Sequence, residues 1–303
     1  MAPGAESAPN FASVSEGGKV VASTTENDVI GSALPPFGAS AFLSDITAAD
    51  GGADTQAGDH PHGLTNTIGL NTRIGATPIE AFIGATSVQE VKDVVVDLPL
   101  GFLGGALATP KCAFSQLQSF PASCPLDTLV GHLSTEPTSS ASANTPVFNM
   151  VPEHGVAAEF GFKDLLFTTH VIVAGVAPTP AGYVLRASAR EVPQITLTNL
   201  ITTFYGDPAA KQEEVASQEG QQPSGITPAA MFTNPSDCSG QPLLTTLHID
   251  SWESPGPSNA DGTPNVEGPG WTSMKSESPP VTGCNALRFE PEAFSFKPET
   301  STA

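Results

Sequence analysis

Glycine and proline are spread along the whole chain, with 29 of each among 303 residues. Because glycine costs about 1 kcal/mol and proline about 3 kcal/mol inside a helix, this composition disfavours long helices. The hydrophobic residues between them stand in short, alternating runs. In 156–162, Ala158, Phe160 and Phe162 share one face of a strand while Glu159 takes the other. We therefore predict an all-β fold with long Pro/Gly-rich loops.

Short antiparallel strands at this spacing are typical of sandwiches, and the chain is long enough for two domains. The N-terminal segment is rich in Ala, Ser, Gly and Glu and shows little periodicity. Residues 207–220 predict a helical turn capped by Asp207, and 254–283 predict a long loop. The predicted organisation is a disordered arm at 1–35, two β-sandwich-like domains at 36–163 and 164–297, and a tail at 298–303.

The charge of the chain is strongly asymmetric, with 31 Asp and Glu against 11 Lys and Arg, a formal net charge of −20. Nucleic acids and anionic lipids are bound mainly through Lys and Arg, so this balance argues against both as partners. No apolar run approaches the 18 residues of a membrane-spanning helix. The acidity is interpreted as a source of solubility; weak Ca²⁺ binding by exposed carboxylates is the alternative, and no other cofactor is predicted.

Four widely spaced cysteines, Cys112, Cys124, Cys238 and Cys284, include no C-x-x-C pair. An even count of this kind in a β-rich chain indicates disulfides, which form in oxidising compartments. Pairing Cys112 with Cys124 and Cys238 with Cys284 is the simplest of three connectivities; four free thiols in a cytosolic protein are the alternative.

Residues 1–18 have no basic and apolar signal pattern, so we expect a signal that was removed or a start inside a longer gene.

No nucleophile motif such as G-x-S-x-G occurs in the sequence. Asp54, Asp59, His60 and His62 lie within nine residues and are candidate ligands of a divalent metal ion. The alternative is a turn in which these side chains satisfy backbone amides.

Asp250, Trp252 and Glu253 place an aromatic ring among acids, an arrangement found on sugar-binding surfaces. In the strand predicted at 242–252, Leu247 and Ile249 share a face opposite to Asp250 and Trp252. The aliphatic face should be the core face. Trp252 then either packs under the loop that follows or stays exposed to stack on a sugar.

Several motifs occur in an order that resembles a family of large uncharacterised secreted proteins from Actinobacteria. They are QAGDHPH (56–62), DLPLGFLGG (97–105), ATPKC (108–112), CP (124–125), VGHL (130–133), PVFNMVPEHGVAAEFGF (146–162), FYGDPA (204–209), FTNPSDC (232–238), DSWESPG (250–256) and TGC (282–284). The resemblance implies export, paired cysteines and β-rich modules, and it implies that the chain is the N-terminal part of a longer protein. Leu100 and Gly105-Ala106 depart from the family's LPPG and GNP elements.

These observations favour a non-enzymatic extracellular or cell-surface module, structural or adhesive, with cell wall or polysaccharide as the candidate partner. A secreted carbohydrate-binding or carbohydrate-cleaving protein centred on Trp252 is the second hypothesis. A metal-dependent hydrolase using His60 and His62 is the third.

Overall fold

The computed structural model describes residues 7–17, 19–29, 34–74, 84–136, 144–164, 168–218 and 228–287. The chain divides into two compact units, Met1–Pro36 and Phe37–Ala303. In the first unit, β1 (Ser7–Glu16) pairs with β2 (Lys19–Val29) as an antiparallel hairpin. The described part of the arm is therefore a hairpin where the sequence predicted disorder. Phe11, Val14, Val20 and Val21 stay exposed on it, which explains why no core-facing pattern signalled these strands.

The second unit is almost entirely β-structure, which confirms the predicted all-β class. Its described strands are β3 (Ala39–Thr47), β4 (Gly63–Leu70), β5 (Thr72–Ile74), β6 (Ala85–Ser87), β7 (Val91–Asp97), β8 (Leu103–Gly104), β9 (Leu129–Glu136), β10 (Thr145–Met150), β11 (Ala158–Lys163), β12 (Thr169–Thr179), β13 (Gly182–Ala189), β14 (Asn199–Tyr205), β15 (Phe232–Thr233), β16 (Leu243–Ser251) and β17 (Thr272–Ser278). The helices are α1 (Phe114–Gln118), α2 (Pro208–Gln218) and the 3₁₀ turns Leu126–Thr128 and Cys284–Ala286. None of the described helices is long and apolar enough to cross a membrane.

Eleven strands form one antiparallel sheet in the order β17-β16-β7-β13-β12-β11-β10-β9-β14-β4-β3. β11 and β12 are direct neighbours in it, so the division into two sandwich-like domains at 163/164 is not confirmed. The sequence shows where strands lie but not which distant strands they pair with. Here Val91 of β7 pairs with Ser251 of β16, 160 residues further along the chain. The tail predicted at 298–303 lies outside the described residues.

The sheet curls until its two outermost strands meet, which makes it nearly closed and barrel-like. Ser44 of β3 joins them: its backbone N–H donates to Ser276 Oγ of β17 at 2.9 Å. Its carbonyl oxygen accepts from Ser278 Oγ at 2.9 Å. β17 lies within the segment predicted as a loop, because its buried positions, Ser276 and Ser278, carry small hydroxyl side chains rather than hydrophobic ones. We call the contact of the Ser44 backbone with the Ser276 and Ser278 side chains the serine seam.

The inward face of the sheet follows the alternation seen in the sequence. Phe160 and Phe162 of β11 and Leu247 and Ile249 of β16 are buried in the core, as predicted. The outward face of β16 is buried too, which the alternation did not predict, since His248 and Asp250 lie under neighbouring segments.

Two features outside the sheet also agree with the sequence. Cys112–Cys124 and Cys238–Cys284 form the two predicted disulfides. The Ala210 N–H donates to Asp207 Oδ1 at 3.2 Å, so Asp207 caps α2 as predicted.

Three neighbouring strands are tied together on the outside of the sheet by a buried ion pair. Arg186 of β13 donates to Asp97 of β7 through Nε at 2.6 Å and Nη2 at 2.7 Å. His248 Nε2 of β16 lies 3.4 Å from the same carboxylate. Burial opposes ionisation of Asp97, but the hydrogen bonds from Arg186 and His248 outweigh it and hold its pKa below the ordinary value.

We predict that replacing Ser276 and Ser278 together by alanine lowers the free energy of unfolding by about 2–4 kcal/mol. The change removes two hydrogen bonds and leaves the buried Ser44 N–H without its acceptor. Urea unfolding of this double variant measures the loss, with Glu277→Ala, an exposed neighbour on the same strand, as the control. A loss no larger than that of the control would contradict closure through the serine seam.

Arg186→Met should lower the free energy of unfolding by about 3–5 kcal/mol at pH 7, because Asp97 stays buried without its partner. The pKa of Asp97 is lower in the folded protein than in the unfolded chain, so its carboxylate stabilises the wild type at pH values above the unfolded-state pKa. This contribution is lost as the pH falls through the folded-state pKa. The difference in the free energy of unfolding between Arg186→Met and the wild type should therefore become smaller at acidic pH. Chemical unfolding at several pH values measures it, and a difference independent of pH would contradict this role of the pair.

Candidate functional site

The inside of the curled sheet contains a cavity of about 430 Å³. Its walls come from the inward positions of β4, β7, β9 and β11 to β14, and they are mainly aliphatic and aromatic. Representative wall residues are Ile68, Val96, Leu133, Phe160, Ile172 and Phe204. Cavities of about 300–1,000 Å³ with mostly apolar walls are typical of small-molecule binding sites.

The cavity exists because small side chains coincide on three neighbouring strands. Ala158 of β11 is opposite Ala174 of β12, which is opposite Ala187 of β13. Directly opposed residues of antiparallel strands point to the same face, so all three alanines point inward. Where the facing walls carry Leu, Phe and Ile, this row leaves space that larger side chains would fill.

One end of the cavity is covered by the segment that joins β13 to β14, residues 190–198, which we call the crossing segment. Ile195 and Leu197 of this segment line the cavity. At its start the Val192 N–H donates to Lys92 O at 2.8 Å, and at its finish Thr198 O accepts from the Leu70 N–H at 2.9 Å. These contacts fix the segment at both ends.

The other end is covered by the loop after β7 together with β15. Phe232, Ala106 and Met231 line this end. The Phe232 ring packs against Phe102, with ring centroids 5.4 Å apart. Beside it, Gly104, Ala157 and Val176 line the cavity and are exposed, Val176 to 68 %. A solvent-accessible entrance therefore lies between the β12–β13 hairpin and the loop after β7.

A polar side chain interrupts the apolar wall of β4. Asn66 stands between Leu64 and Ile68 on the inward face, lines the cavity and is only 8 % exposed. Its Oδ1 has no hydrogen-bond partner among the described residues. The sequence signal for it is a break in the series Leu64, Ile68 and Leu70, where a buried strand position carries an amide.

The residues predicted to bind metal lie away from this cavity. Asp54, Asp59, His60 and His62 do come together, in a second recess of about 400 Å³ beside Gly206 and Asp207. Within the described ranges, however, no group of three or more His, Cys, Asp or Glu side chains has the arrangement of a metal site.

Several polar atoms of this second recess are engaged by neighbouring groups. Asp54 Oδ1 accepts from Gln56 N and Asn234 Nδ2, and burial raises the pKa of Asp54. His60 Nδ1 lies 2.9 Å from Phe232 O and 3.2 Å from Thr233 Oγ1. These contacts are those of a capped turn, the second of the two interpretations that the sequence allowed.

The three residues predicted to bind sugar do not share one surface. Asp250 is 0 % exposed, and its carboxylate accepts from the backbone N–H groups of Asp93 and Gly256 at 2.8 and 2.6 Å. Burial raises the pKa of Asp250. Glu253 is exposed, and its Oε1 lies 3.4 Å from the Glu90 N–H. The buried carboxylate of Asp250 thus holds the turn after β16 in place.

Trp252 is half-buried and packed. Its indole Nε1–H donates to Val192 O at 2.8 Å, and Lys92 Nζ lies 5.6 Å from the ring centroid. Because Val192 lies near the start of the crossing segment, Trp252 anchors the segment that covers one end of the cavity.

Comparisons of the chain with protein-family models, with curated proteins and with solved structures each found no match. Membership of the actinobacterial family therefore stays a prediction that rests on the sequence motifs alone.

We predict that Trp252→Ala lowers the free energy of unfolding by about 2–4 kcal/mol, since a packed aromatic ring and its hydrogen bond are lost. Trp252→Phe should cost about 1 kcal/mol, because it keeps most of the ring contacts. Thermal and chemical unfolding measure both, with the exposed neighbour Glu253→Ala as the control. A fully stable Trp252→Ala protein would show that the side chain does not hold the crossing segment.

Proposed function

We propose that this protein is a non-enzymatic extracellular or cell-surface module that binds an apolar small molecule inside its curled sheet. The observation that carries the proposal is the cavity of about 430 Å³ with aliphatic and aromatic walls. Transfer of apolar surface from water into such walls gains about 25 cal/mol for each Å² removed from water. A hydrocarbon-rich molecule is the kind of ligand that gains most from this site.

The structure of the site also supports a binding role. The crossing segment lines one end, and Phe232, which packs against Phe102, lines the other, so the ends of the cavity also offer a ligand apolar surface. The exposed position of Val176 provides a way in beside the β12–β13 hairpin.

The extracellular location is supported by the two disulfides, which persist in oxidising environments. The resemblance to secreted actinobacterial proteins points the same way. An adhesive role toward cell wall or polysaccharide remains a separate part of the proposal, to be tested by pull-down on isolated cell walls.

The two alternatives have weaker support. Asp250 is buried beneath its own turn, which leaves Trp252 and Glu253 without the acid needed for a carbohydrate site. In the hydrolase hypothesis, Asp54 and His60 already have hydrogen-bond partners within the fold. Calorimetry with Zn²⁺ tests this hypothesis: micromolar binding that is lost in His60→Ala would revive it.

Binding can be tested with N-phenyl-1-naphthylamine, an uncharged apolar dye whose fluorescence rises in apolar surroundings. We expect saturable binding to the wild type and at least a tenfold loss in Ala174→Phe, which places a ring in the cavity. Val173→Phe is the matched control, because it adds a ring one residue away on the outward face of the same strand. Absence of saturable binding to the folded wild type, or equal losses in the two variants, would contradict the proposed function.

A further inference from the structure

The cavity holds a buried polar group that the fold itself does not use. The Asn66 Oδ1 atom is buried, and within the described chain it has no hydrogen-bond partner. Leaving a buried amide oxygen unpaired costs about 1–3 kcal/mol, so such atoms are normally paired. In the wall of a binding cavity, such an atom is placed to accept a hydrogen bond from a ligand.

Asn66 is also the centre of a polar row that crosses three strands of the inward face. In the register of the sheet, Ser44 of β3 is opposite Asn66, and Asn66 is opposite Thr202 of β14. Thr202 lines the cavity beside Asn66. The Ser44 hydroxyl is buried and likewise has no partner among the described residues. An amide and hydroxyls placed side by side can both donate and accept hydrogen bonds.

The charges near the wall favour an uncharged polar group on the ligand. The guanidinium of Arg186 is held by Asp97 on the outside of the sheet. That of Arg190 donates to Gly262 O and Ser258 Oγ at 2.6 and 3.2 Å. His170 Nε2 lies 3.0 Å from Asp164 Oδ2. Among the described residues, the Arg and His side chains that line the cavity are Arg186, Arg190 and His170, and each is engaged elsewhere. A carboxylate or phosphate beside Asn66 would be desolvated without a counter-ion, which is costly.

The position of Asn66 also sets the direction of binding. In the strand order, β4 stands five places from β12, on the opposite side of the eleven-stranded sheet. The entrance at Val176 is on β12. The polar group of the ligand therefore reaches across the cavity, and its hydrocarbon part extends back toward the entrance.

We infer that the ligand is an uncharged amphiphile, a mostly hydrocarbon molecule with one hydroxyl or amide group that hydrogen-bonds to Asn66. This inference rests on the proposed function, since it names the class of molecule that the same cavity takes. A site for such an amphiphile differs from a site for plain hydrocarbons, which carry no polar group, and from a site for fatty-acid anions, which carry a charge.

The test is displacement of N-phenyl-1-naphthylamine by octan-1-ol, octane and octanoate at pH 8. In the wild type, octan-1-ol should compete about tenfold better than octane and at least tenfold better than octanoate. In Asn66→Leu, which has similar size without hydrogen-bonding atoms, the preference for octan-1-ol over octane should disappear. Thr67→Val, an outward-facing neighbour on the same strand, should keep the wild-type order.

The outcomes separate the two claims. If the dye does not bind the wild type at all, the proposed function itself fails. If the dye binds but octan-1-ol and octane compete equally in the wild type, or the preference persists in a folded Asn66→Leu protein, this inference is wrong and the cavity function stands. The wild-type series decides the point even if Asn66→Leu does not fold, and circular dichroism monitors the folding of each variant.

Discussion

The meeting of β3 and β17 at the serine seam is the contact on which the rest of the structure depends. An antiparallel sheet of eleven strands has two edges with unpaired N–H and C=O groups, and such edges invite pairing with other chains. Here the edges meet, and Ser276 and Ser278 supply side-chain oxygens to the backbone of Ser44 where a regular ladder would use backbone groups. Small hydroxyl side chains suit this task because they fit inside the closing sheet and still form hydrogen bonds.

Closure turns one face of the sheet into an interior, and the side chains on that face then determine what the interior can hold. Most inward positions are large and apolar and fill the space between β3, β16 and β4. On β11 to β13 the inward row is instead Ala158, Ala174 and Ala187, and the space stays open. The cavity is therefore a consequence of register, since a slip by one residue would turn the alanines outward.

Local features of this fold could be predicted from the sequence, whereas its long-range pairing could not. The alternation of Ala158, Phe160 and Phe162 predicted a strand and its buried face, and the cysteine spacing predicted both disulfides. Nothing local indicates that β7 lies between β16 and β13, or that β14 lies between β9 and β4, because these partners are far apart in the chain. The polar candidates Asp54, His60, Asp250 and Trp252 were conspicuous in sequence, yet in the structure their polar atoms serve turns and the crossing segment. Asn66 was inconspicuous in the sequence, because its amide becomes a buried group in a cavity wall only when distant strands close around it.

The existence of an open, mainly apolar space beside Ala158, Ala174 and Ala187 is the central claim, and xenon tests it most directly. Xenon binds in apolar cavities of this kind, whereas a polar or well-filled interior excludes it. Crystals of the wild-type protein under xenon pressure should show xenon density between Ala174, Ala187 and Leu133. A diffraction map with no xenon there, and with ordered water or packed side chains in its place, would contradict the account.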